Sequence, residues 1–360
     1  MTTRERIDLI AKAYPRLFPR AELVQLVRAE LGYVDALDGW IARDGVQVRA
    51  RAPKLIYHIC AGNLAISAMT SIVHGLVLGS HNIVKLPGDR EDSSTRGETL
   101  NFIRGLPAFL RRLVETDRKL DEKKLAQADA VIAFGSDATM ESLRAKIGPG
   151  QRFIAHGHAV SLLWLAQPNK LTPIEARAIA TDVLTYDQLG CLSPQAIYAP
   201  PQTNISALGE KLGRALETHW EKLKKKPARP LGVAARIAEA RDMAYALGHR
   251  VWLPLKQHLG WTFIYDPDPN FQLSPLHGVI AIRTVSEARL HEVLSSVAGK
   301  ISTVGVAGKL SKRAEAAFLK LGVTRFCAAG RMQFPPLTWH HDGRSTLAEL
   351  VTWVDAEGEF

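Results

Sequence analysis

Short apolar runs alternate with amphipathic segments along most of the chain. Leu55–Ile59 is a bulky run typical of a buried strand, and Met69, Ile72, Val73 and Leu76 follow it at the i, i+3, i+4, i+7 spacing of a helix. The same alternation predicts strands at residues 82–86, 130–134, 153–155 and 160–165, with helices at residues 93–102, around 106–114 and up to 147. Strands that alternate with helices favour a mostly parallel α/β sheet.

A second α/β series follows, and we place a domain boundary ahead of residue 187. A helix at residues 173–186 leads up to this boundary, and the second series is predicted from strands at residues 196–199, 262–265, 279–283 and 303–306 and from helices at residues 205–224, 286–297 and 312–321. Further helical segments are predicted near the two ends of the chain, at residues 21–31, 37–42 and 347–354. We therefore expect three parts, residues 1–186, 187–334 and 335–360, the last of which returns to the first domain.

The composition is that of an ordinary globular protein with an excess of positive charge. The 360 residues include 46 Lys+Arg and 36 Asp+Glu, a formal net charge of +10. Such an excess suits nucleic acid, an acidic membrane surface or a phosphate-bearing small molecule, and composition does not choose between them. No apolar run reaches the ~20 residues of a membrane span. The first eight residues are charged and lack a signal-peptide core, so we expect a cytoplasmic protein.

Cys191 is the first candidate for chemistry. It lies in a Gly-Cys-Leu-Ser-Pro loop at the expected domain boundary, where a thiolate can attack a thioester or an aldehyde. The alternative is a small buried hydrophobe, the commonest role of an unpaired cysteine and the one we expect for Cys60 and Cys327. The three cysteines form no CxxC pair, and this sparse, odd number suits a reducing cytosol.

Polar residues at strand ends supply the other candidates. Asn63 follows the strand at 55–59 and can direct its side-chain amide at an oxyanion, or can cap the next helix. Gly135 and Ser136 form a strand-to-helix turn that suits a phosphate, although Asp137 also serves there as a plain helix cap. Lys85 ends another strand, where it can bind a ribose or a phosphate or simply be solvated.

Histidines occur in two groups that do not have the spacing of a metal motif. His156 and His158 flank a glycine, and the second group is His340-His341-Asp342. A metal site needs three or four convergent ligands, and the sequence has neither HExxH nor CxxC, so we expect no metal.

The order of these segments carries more information than any one of them. The segments His58-Ile-Cys-Ala-Gly-Asn63, Asn82-Ile-Val-Lys-Leu86, Ala133-Phe-Gly-Ser136, His156-Gly-His158, Asp187-Gln-x-x-Cys-x-Ser-Pro-Gln195 and Trp339-His-His-Asp-Gly343 follow one another along the chain. In this order they resemble the aldehyde dehydrogenase superfamily and, within it, the acyl-CoA reductase family typified by the reductase of bacterial bioluminescence systems. The resemblance runs from about residue 54 to residue 357, and the Asp-Gln-x-x-Cys segment is its most specific part.

The resemblance implies two Rossmann-like parallel-sheet domains, one for the cofactor and one, at residues 187–334, carrying the Cys loop. It implies NADPH-dependent reduction of an acyl thioester to an aldehyde, with Cys191 as the acylated nucleophile. Asn63 and the Cys191 backbone N–H would form the oxyanion hole. Lys85 would hold the adenosine ribose or its phosphate, and Gly135 and Ser136 would lie against the pyrophosphate. An acyl-CoA or acyl-carrier thioester, an acyl-activating synthetase or carrier protein, and a second copy of the chain are the partners it implies.

Departures from the wider superfamily refine this expectation. Hydrolytic members have a Glu-Leu-Gly-Gly motif, and the corresponding stretch here contains His156 and no carboxylate, which favours reduction over release of an acid. His156 can instead position a group or donate a proton, or be structural. No glutamate directly follows Lys85, so a 2′-phosphate is not repelled there; Arg90 supports NADPH and Asp89 opposes it. The N-terminal part is shorter than is usual in the family, which puts an acyl-binding or subunit-contact element in doubt.

Two other functions remain open on the sequence. One is an aldehyde dehydrogenase that works in the oxidative direction, and the other is a basic nucleic-acid-binding protein on the same fold. The second requires clustered basic residues with interleaved aromatics. Aromatic residues are only 7% of this chain and its charges scatter, so we rank nucleic acid last.

Overall fold

The computed structural model describes residues 1–88 and 93–358, which form two compact units. The first unit contains Met1–His158 and Pro336–Phe360, and the second contains Ala159–Pro335. The helices are α1 Thr3–Ala13, α2 Arg20–Leu31, α3 Ala65–Leu78, α4 Ser93–Gly105, α5 Ala108–Arg111, α6 Glu122–Gln127, α7 Asp137–Arg144, α8 Pro173–Leu184, α9 Ile205–Lys222, α10 Leu231–Ala246, α11 Leu290–Val293 and α12 Lys312–Lys320.

The strands are assigned to three sheets. They are β1 Ile41–Arg43, β2 Val46–Arg51, β3 Leu55–Ile59, β4 His81–Lys85, β5 Val114–Asp117, β6 Ala130–Phe134, β7 Arg152–His156, β8 Val160–Leu165, β9 Pro194–Ala199, β10 Arg250–Trp252, β11 Thr262–Tyr265, β12 Val279–Thr284, β13 Ile301–Ala307, β14 Arg325–Ala328 and β15 Thr352–Ala356. Short 3₁₀ turns lie at Pro168–Lys170, Thr185–Gln188, Glu287–Arg289 and Ser295–Val297. Among the described residues, none of the helices combines the length and apolarity that crossing a bilayer requires.

The first unit is built on a parallel five-stranded sheet in the order β5-β4-β3-β6-β7. Its central strand is buried on both faces: Ile56 and Tyr57 are fully covered, as expected for a strand between two layers of helices. The chain runs outward from β3 through β4 to β5 and then crosses to β6, so the strand order reverses between β3 and β6. Open α/β sheets bind ligands beyond the carboxyl ends of the strands at such a reversal.

A buried polar contact ties α3 to this sheet. His58 on β3 lies 2.7 Å from the Ser71 hydroxyl through Nδ1 and 2.9 Å from the Asn82 carboxamide oxygen through Nε2. Gly75 makes room for this contact, since a Cβ there would stand 1.8 Å from the same Asn82 oxygen. The histidine is therefore a satisfied core residue, held between a helix and two strands.

The second unit is built on a mixed seven-stranded sheet in the order β10-β11-β12-β9-β8-β13-β14. Only its edge strand β10 runs antiparallel to its neighbour among the described strands. The two parallel series confirm the predicted α/β class. The sequence boundary at residue 187 differs from the observed division by residues 159–186. These residues group with the second unit because β8 pairs with β9 and β13, and because α8 packs Ile179 and Val183 into the core of that sheet.

A three-stranded antiparallel sheet, β1-β2-β15, completes the first unit. The helices predicted from the sequence at residues 37–42 and 347–354 are wrong, since these segments contribute β1 and β15. β2 alternates buried Val48 and Ala50 with exposed arginines, the period of a strand, and β15 pairs with it along its full length. Pairing between strands about 300 residues apart overrides the local preference of both segments.

Two of the described helices, α1 and α10, were not predicted from the sequence. Helix α1 begins with a capping box in which Thr2 and Glu5 each bond the other's backbone N–H. Helix α10 buries only Ile237 and Ala244, so its pattern is weak. Strand β5 also differs from expectation, because the basic helix expected up to residue 114 ends at Arg111 and the chain turns into the sheet.

Candidate active site

In the first unit, the candidate residues lie at one edge of the five-stranded sheet. Its strands are parallel, so their carboxyl ends share that edge: Asn63 follows β3, Lys85 ends β4, and Gly135 and Ser136 follow β6. His156 is the last residue of β7, and its carbonyl accepts a hydrogen bond from the Gly135 N–H at 3.1 Å. The fold thus brings these five sequence candidates to one edge.

Asn63 is exposed on the bend that leads into α3. The N-cap of that helix is Leu64, which offers no side-chain acceptor, and the first turn holds no acidic residue. The first N–H groups of a helix have no partner within the helix and carry a partial positive charge. This edge is therefore suited to a negatively charged group.

Lys85 lies next to an acidic residue whose charge is already compensated. Asp117 at the end of β5 is its neighbour across the ladder. The Asp117 carboxylate accepts from Lys124 Nζ at 2.8 Å, and Arg118 and Lys119 follow it on exposed chain. The carboxyl ends of β4 and β5 are consequently a positive surface.

The turn after β6 begins α7 with a serine cap. Ser136 Oγ accepts from the Thr139 N–H at 3.2 Å, so Ser136 and not Asp137 is the N-cap. Asp137 instead accepts from the His158 N–H at 2.8 Å. Gly157 permits this contact, because a Cβ there would stand 2.7 Å from the Asp137 oxygen.

His156 is paired with a carboxylate from the C-terminal segment. Its Nδ1 lies 2.8 Å from Oδ2 of Asp342, and the residue is 9% exposed. Asp342 has a φ of +53°, a left-handed backbone conformation that is uncommon for residues other than glycine. His341 and Arg344, which flank Asp342, form an isolated antiparallel bridge that fixes this turn.

Aromatic rings pack against the imidazole of His156. Phe134 stacks on one face with ring centres 4.7 Å apart and an angle of 11° between planes. His341 stacks at 4.2 Å and 24°, and Trp339 stacks in turn on His341 at 4.6 Å and 29°. The ring centres of Phe134 and His341 are themselves 5.9 Å apart, so the four rings form a cluster that restricts the plane of the His156 ring.

Electrostatics assign charges to the residues around His156. Burial opposes the ionisation of Asp342. The hydrogen bond to His156 and the electrostatic attraction of His341, His156 and Arg344 outweigh that effect, so the pKa of Asp342 lies below its usual value. Burial, with help from His156, lowers the pKa of His341 to about 4. At neutral pH the carboxylate is therefore ionised while His341 is uncharged.

His156, His341 and Asp342 also each offer a ligand atom within 4.8 Å of the others. Three such groups are enough for a catalytic metal. However, Nδ1 of His156 and Oδ2 of Asp342 stand at hydrogen-bond distance, and the two imidazole rings are stacked with their centres 4.2 Å apart. The contacts are those of a hydrogen-bonded pair in an aromatic stack.

Cys191 belongs to the second unit and is exposed. It lies in the loop between α8 and β9, at the amino ends of the central strands. Ser161, near the start of β8, donates its hydroxyl to the Cys191 carbonyl at 2.8 Å. The other two cysteines differ in character: burial raises the pKa of Cys60 to about 12 and that of Cys327 to about 11, so neither is a thiolate at neutral pH.

The chain enters the Cys191 loop in a strained conformation. Tyr186, Asp187 and Gln188 have φ angles of +56°, +53° and +63°, three consecutive left-handed residues without a glycine. Each such residue costs about 1–2 kcal/mol. Strain of this kind persists only where surrounding contacts maintain it.

Asp187 supplies the strongest of those contacts. Its carboxylate accepts two hydrogen bonds from the Arg229 guanidinium, at 2.8 and 2.9 Å, and lies 2.5 Å from Nδ1 of His277. Both side chains of the ion pair are only about a tenth exposed. His277 has a φ of +56°, so two left-handed loops brace each other through one carboxylate.

Backbone groups around Cys191 are held by neutral side chains. Gln188 is fully buried, accepts from the Gly278 N–H at 3.0 Å and donates to the Pro194 carbonyl at 2.8 Å. Ser193 accepts from Gln333 at 2.9 Å. The residues of the Asp-Gln-x-x-Cys-x-Ser-Pro pattern therefore share one structural role. Asp187, Gln188 and Ser193 hold the loop that carries Cys191.

Sequence reasoning did not find the residues that brace these two sites. His341 and Asp342 were considered there only as metal ligands, which were not expected, and as part of a family segment, while Arg229 and His277 were missed altogether. Asp342 is 186 positions from His156, and Arg229 is 42 positions from Asp187. Periodicity in a single sequence reflects local structure, so it gives no information about contacts between residues this far apart.

Comparison with known proteins identifies the family. The model of the acyl-CoA reductase (LuxC) family matches residues 2–353. The chain belongs to this family. A long-chain acyl-protein thioester reductase from Aliivibrio fischeri is 24% identical over 354 residues, which are 96% of this chain and 72% of that protein. A long-chain acyl-protein thioester reductase 2 from Photobacterium leiognathi is also 24% identical, over 95% of this chain and 72% of its own length.

Solved structures show the fold of this acyl-CoA reductase family member. An NAD-dependent aldehyde dehydrogenase from Sinorhizobium meliloti matches with a TM-score of 0.69 at 14% identity, covering 99% of this chain and 82% of that one. An NADP-dependent glyceraldehyde-3-phosphate dehydrogenase from Bacillus halodurans C-125, complexed with NADP, matches with a TM-score of 0.68 at 13% identity, covering 99% and 87%. The aldehyde-dehydrogenase-like fold expected from the sequence is confirmed.

Proposed function

We propose that the protein reduces an acyl thioester to an aldehyde with NADPH, through an acyl-cysteine at Cys191. The observation that carries this proposal is the exposed cysteine in a strained loop that is braced on both sides. A nucleophile that attacks a bulky thioester must be accessible to solvent and held in a fixed orientation. A buried core cysteine is not accessible to such a substrate. Membership in the acyl-CoA reductase family supports the same reaction.

In this proposal the Cys191 thiolate attacks the thioester carbonyl and the donor thiol departs, leaving an acyl-cysteine. Asn63 and the Cys191 N–H donate hydrogen bonds to the oxyanion. NADPH supplies the hydride that reduces the acyl group. The bond between the acyl carbon and Cys191 then breaks, which releases the aldehyde and restores the thiolate.

The sheet edge of the first unit fits a dinucleotide. It has the strand reversal between β3 and β6, the open helix start after Asn63 and the turn at Gly135 and Ser136, to which we assign the pyrophosphate. We assign the adenosine ribose to Lys85. The compensated Asp117, with Arg118 beside it, favours a 2′-phosphate and hence NADPH over NADH. Asp89 and Arg90, which entered the sequence argument, lie outside the described residues.

We further propose that the thioester donor is coenzyme A or an acylated protein, such as a carrier or an acyl-activating synthetase. The curated relatives carry the name acyl-protein thioester reductase, which supports the protein-bound donor. A homo-oligomer in the cytoplasm remains our expectation for its assembly and location.

The experiment is acylation in the absence of cofactor. Protein incubated with acyl-CoA and examined by intact mass spectrometry should gain one acyl group, which NADPH then removes as aldehyde. Cys191→Ala should abolish both events, while Cys327→Ala, whose thiol is half-buried and protonated, should retain them.

Acylation of the Cys191→Ala variant at the rate of the parent would overturn the assignment. Release of a carboxylic acid with NADP+ and aldehyde, without free thiol, would favour the oxidative alternative instead.

A further inference from the structure

We propose that an exposed, lysine-rich surface next to the Cys191 loop is the docking site for an acidic protein that carries the acyl group. This lysine surface lies in the second unit and consists of Lys222, the lysines at residues 224–226, Leu231, Leu255 and Lys256. The inference rests on the proposed function, because it names where the acyl donor binds and the chemistry that the surface recognises.

The excess of positive charge lies almost entirely in the second unit. Residues 159–335 contain 22 Lys+Arg and 13 Asp+Glu, an excess of +9, whereas the rest of the chain contains 24 and 23, an excess of +1. The sheet edge to which we assign the cofactor phosphates belongs to the first unit, so the cofactor does not account for the +9. The unit that carries Cys191 therefore attracts a negatively charged molecule of its own.

The lysine surface is a dense part of that excess. Between Glu221 and Glu239 the chain has six cationic residues and no acidic residue, and four of the six lie at residues 222–226. Lys222 is in the last turn of α9, where the helix end favours a cation, but the other three lysines lie beyond that turn. All four are exposed, and none is bonded to an acidic side chain in the part of the chain that the structure describes. Their charges are therefore available to a partner.

Trp220 and Arg229 connect the lysine surface to the Cys191 loop. Lys226 Nζ and the Arg229 guanidinium lie over the Trp220 ring, 5.8 and 5.4 Å from its centre. The same guanidinium binds the carboxylate of Asp187, which begins the segment that leads to Cys191. One arginine thus holds both the lysine surface and the entry to the nucleophile loop.

Two leucines add an apolar component to the lysine surface. Leu231 is 87% exposed and Leu255 is 92% exposed. The loop that carries Leu255 and Lys256 packs on Trp220 through His258, with ring centres 5.3 Å apart. Large apolar side chains beside exposed charges are typical of a surface that contacts another protein.

These features favour an acidic protein over other anions. A site for a small phosphate compound encloses its ligand among a few convergent polar groups, whereas these lysines are all exposed. Binding of single-stranded nucleic acid uses exposed aromatic rings for base stacking, and Trp220, the ring beneath these cations, is only 5% exposed. A protein with a carboxylate-rich face complements both the charge and the leucines.

The first test measures docking without chemistry. The probe is an unacylated acyl carrier protein, a small acidic protein, whose dissociation constant is measured by fluorescence anisotropy at several salt concentrations. Lys224→Glu/Lys225→Glu should weaken binding about 10- to 100-fold at low salt, because it replaces attraction with repulsion at the contact. The affinity of the parent protein should fall as salt rises.

The matched control is Lys309→Glu/Lys312→Glu. It makes the same change of charge in the same unit, on exposed lysines between β13 and the start of α12, at the end of the strands opposite to Cys191. This variant should bind the carrier protein within about threefold of the parent, since its lysines lie outside the contact. Equal weakening in the two variants would overturn the inference, as would tighter binding of a short DNA duplex than of the carrier protein.

The second test compares three acyl donors in the acylation of Cys191 without cofactor. With an acylated carrier protein at limiting concentration, Lys224→Glu/Lys225→Glu should acylate about 10- to 100-fold more slowly than the parent. With an uncharged N-acetylcysteamine thioester the two should agree within about twofold, and with acyl-CoA within about threefold. An equal loss with acyl-CoA would assign the lysines to phosphates and overturn the inference. An equal loss with the uncharged thioester would show damage to the Cys191 loop and would also overturn it.

The two tests separate the inference from the function on which it rests. If no donor acylates the parent protein but binding of the carrier depends on Lys224 and Lys225, the proposed function fails and the docking surface stands. If the uncharged thioester acylates Cys191 while parent and variants bind and use the carrier protein alike, the function stands and this inference fails.

Discussion

The two units present their candidate residues at opposite ends of their strands. In the five-stranded sheet, Asn63, Lys85, Gly135 and His156 lie at carboxyl ends, where each strand gives way to a turn or a helix. In the seven-stranded sheet, Cys191 lies at the amino ends, in a loop with three left-handed residues ahead of it.

The difference teaches how each set is kept in place. At carboxyl ends the regular structure does most of the positioning, because strand register and helix starts fix where the side chains begin. At the amino ends no such framework exists, and an ion pair from a distant segment has to hold a costly backbone. We therefore expect the first set to tolerate changes in its neighbours and the second to depend on one carboxylate.

The largest expected effect is loss of the Arg229 guanidinium. Arg229→Met leaves Asp187 buried without its bidentate partner, which costs about 3–5 kcal/mol of unfolding free energy and slows acylation of Cys191. Denaturant unfolding and the acylation rate measure the two effects. The control is Arg289→Met, whose partner Glu292 and whose own side chain are more than half exposed, with an expected change of at most about 1 kcal/mol. Equal stability of the two variants would show that the loop does not depend on this ion pair.

A middle-sized effect should separate the two units by their response to acid. In the first unit, burial lowers the pKa of His58 to about 4 and that of His74 to about 3, below the unfolded value near 6.5. These residues stabilise the fold above pH 6.5, and that stability is lost as the pH falls, on the order of 2 kcal/mol each by pH 5.

In the second unit the sign is reversed. Burial raises the pKa of Asp182 to about 6, above the unfolded value near 3.8, although N–H donors from Gly330 and Met332 oppose the shift. The native state takes up this proton first, so its contribution grows by about 1 kcal/mol between pH 6 and pH 5. Hydrogen exchange corrected for intrinsic rates should thus show β3 and β4 losing protection over this range while β8 and β9 keep theirs. Parallel losses in both sheets would contradict the assignment.

The smallest expected effect is at Lys85. Lys85→Ala should raise the KM for NADPH about 10-fold and that for NADH much less, because one charged contact to a phosphate is worth about 1.4 kcal/mol. Acylation without cofactor should be unchanged, which is the opposite of Arg229→Met. A matched control is Lys123→Ala, an exposed lysine of α6. A slower acylation step in Lys85→Ala would contradict the division into cofactor-binding residues at the carboxyl ends of the first sheet and acylation residues around Cys191.

The sequence predicted the parallel strands well because their signals are local. The runs at 55–59, 130–134 and 262–265 recur with the same bounds, since each is a continuous apolar stretch closed by turn residues. It failed where partners are remote: β15 pairs with β2 across most of the chain, and nothing in 347–354 distinguishes a strand from a helix.

The sequence predicted the candidate residues themselves, but not the residues that hold them in place. Cys191 and His156 were singled out from their immediate neighbours in sequence. Their partners Ser161, Asp187 and Asp342 act through contacts that only the folded chain creates. Asp187 was visible as part of a motif, but its bond to Arg229 was not, because a lone arginine in a loop resembles any solvated charge.

The pairing of His156 with Asp342 also sets an order in time. The two residues are 186 positions apart, so a ribosome that adds roughly 5–20 residues per second completes the histidine roughly 10–40 s before its carboxylate. A longer wait applies to β2, whose partner β15 is translated about 300 residues later. A nascent or prematurely ended chain can fold its five-stranded sheet and still lack an oriented imidazole. Orientation of the His156 ring is thereby delayed until Asp342 has been translated and has folded back onto the sheet.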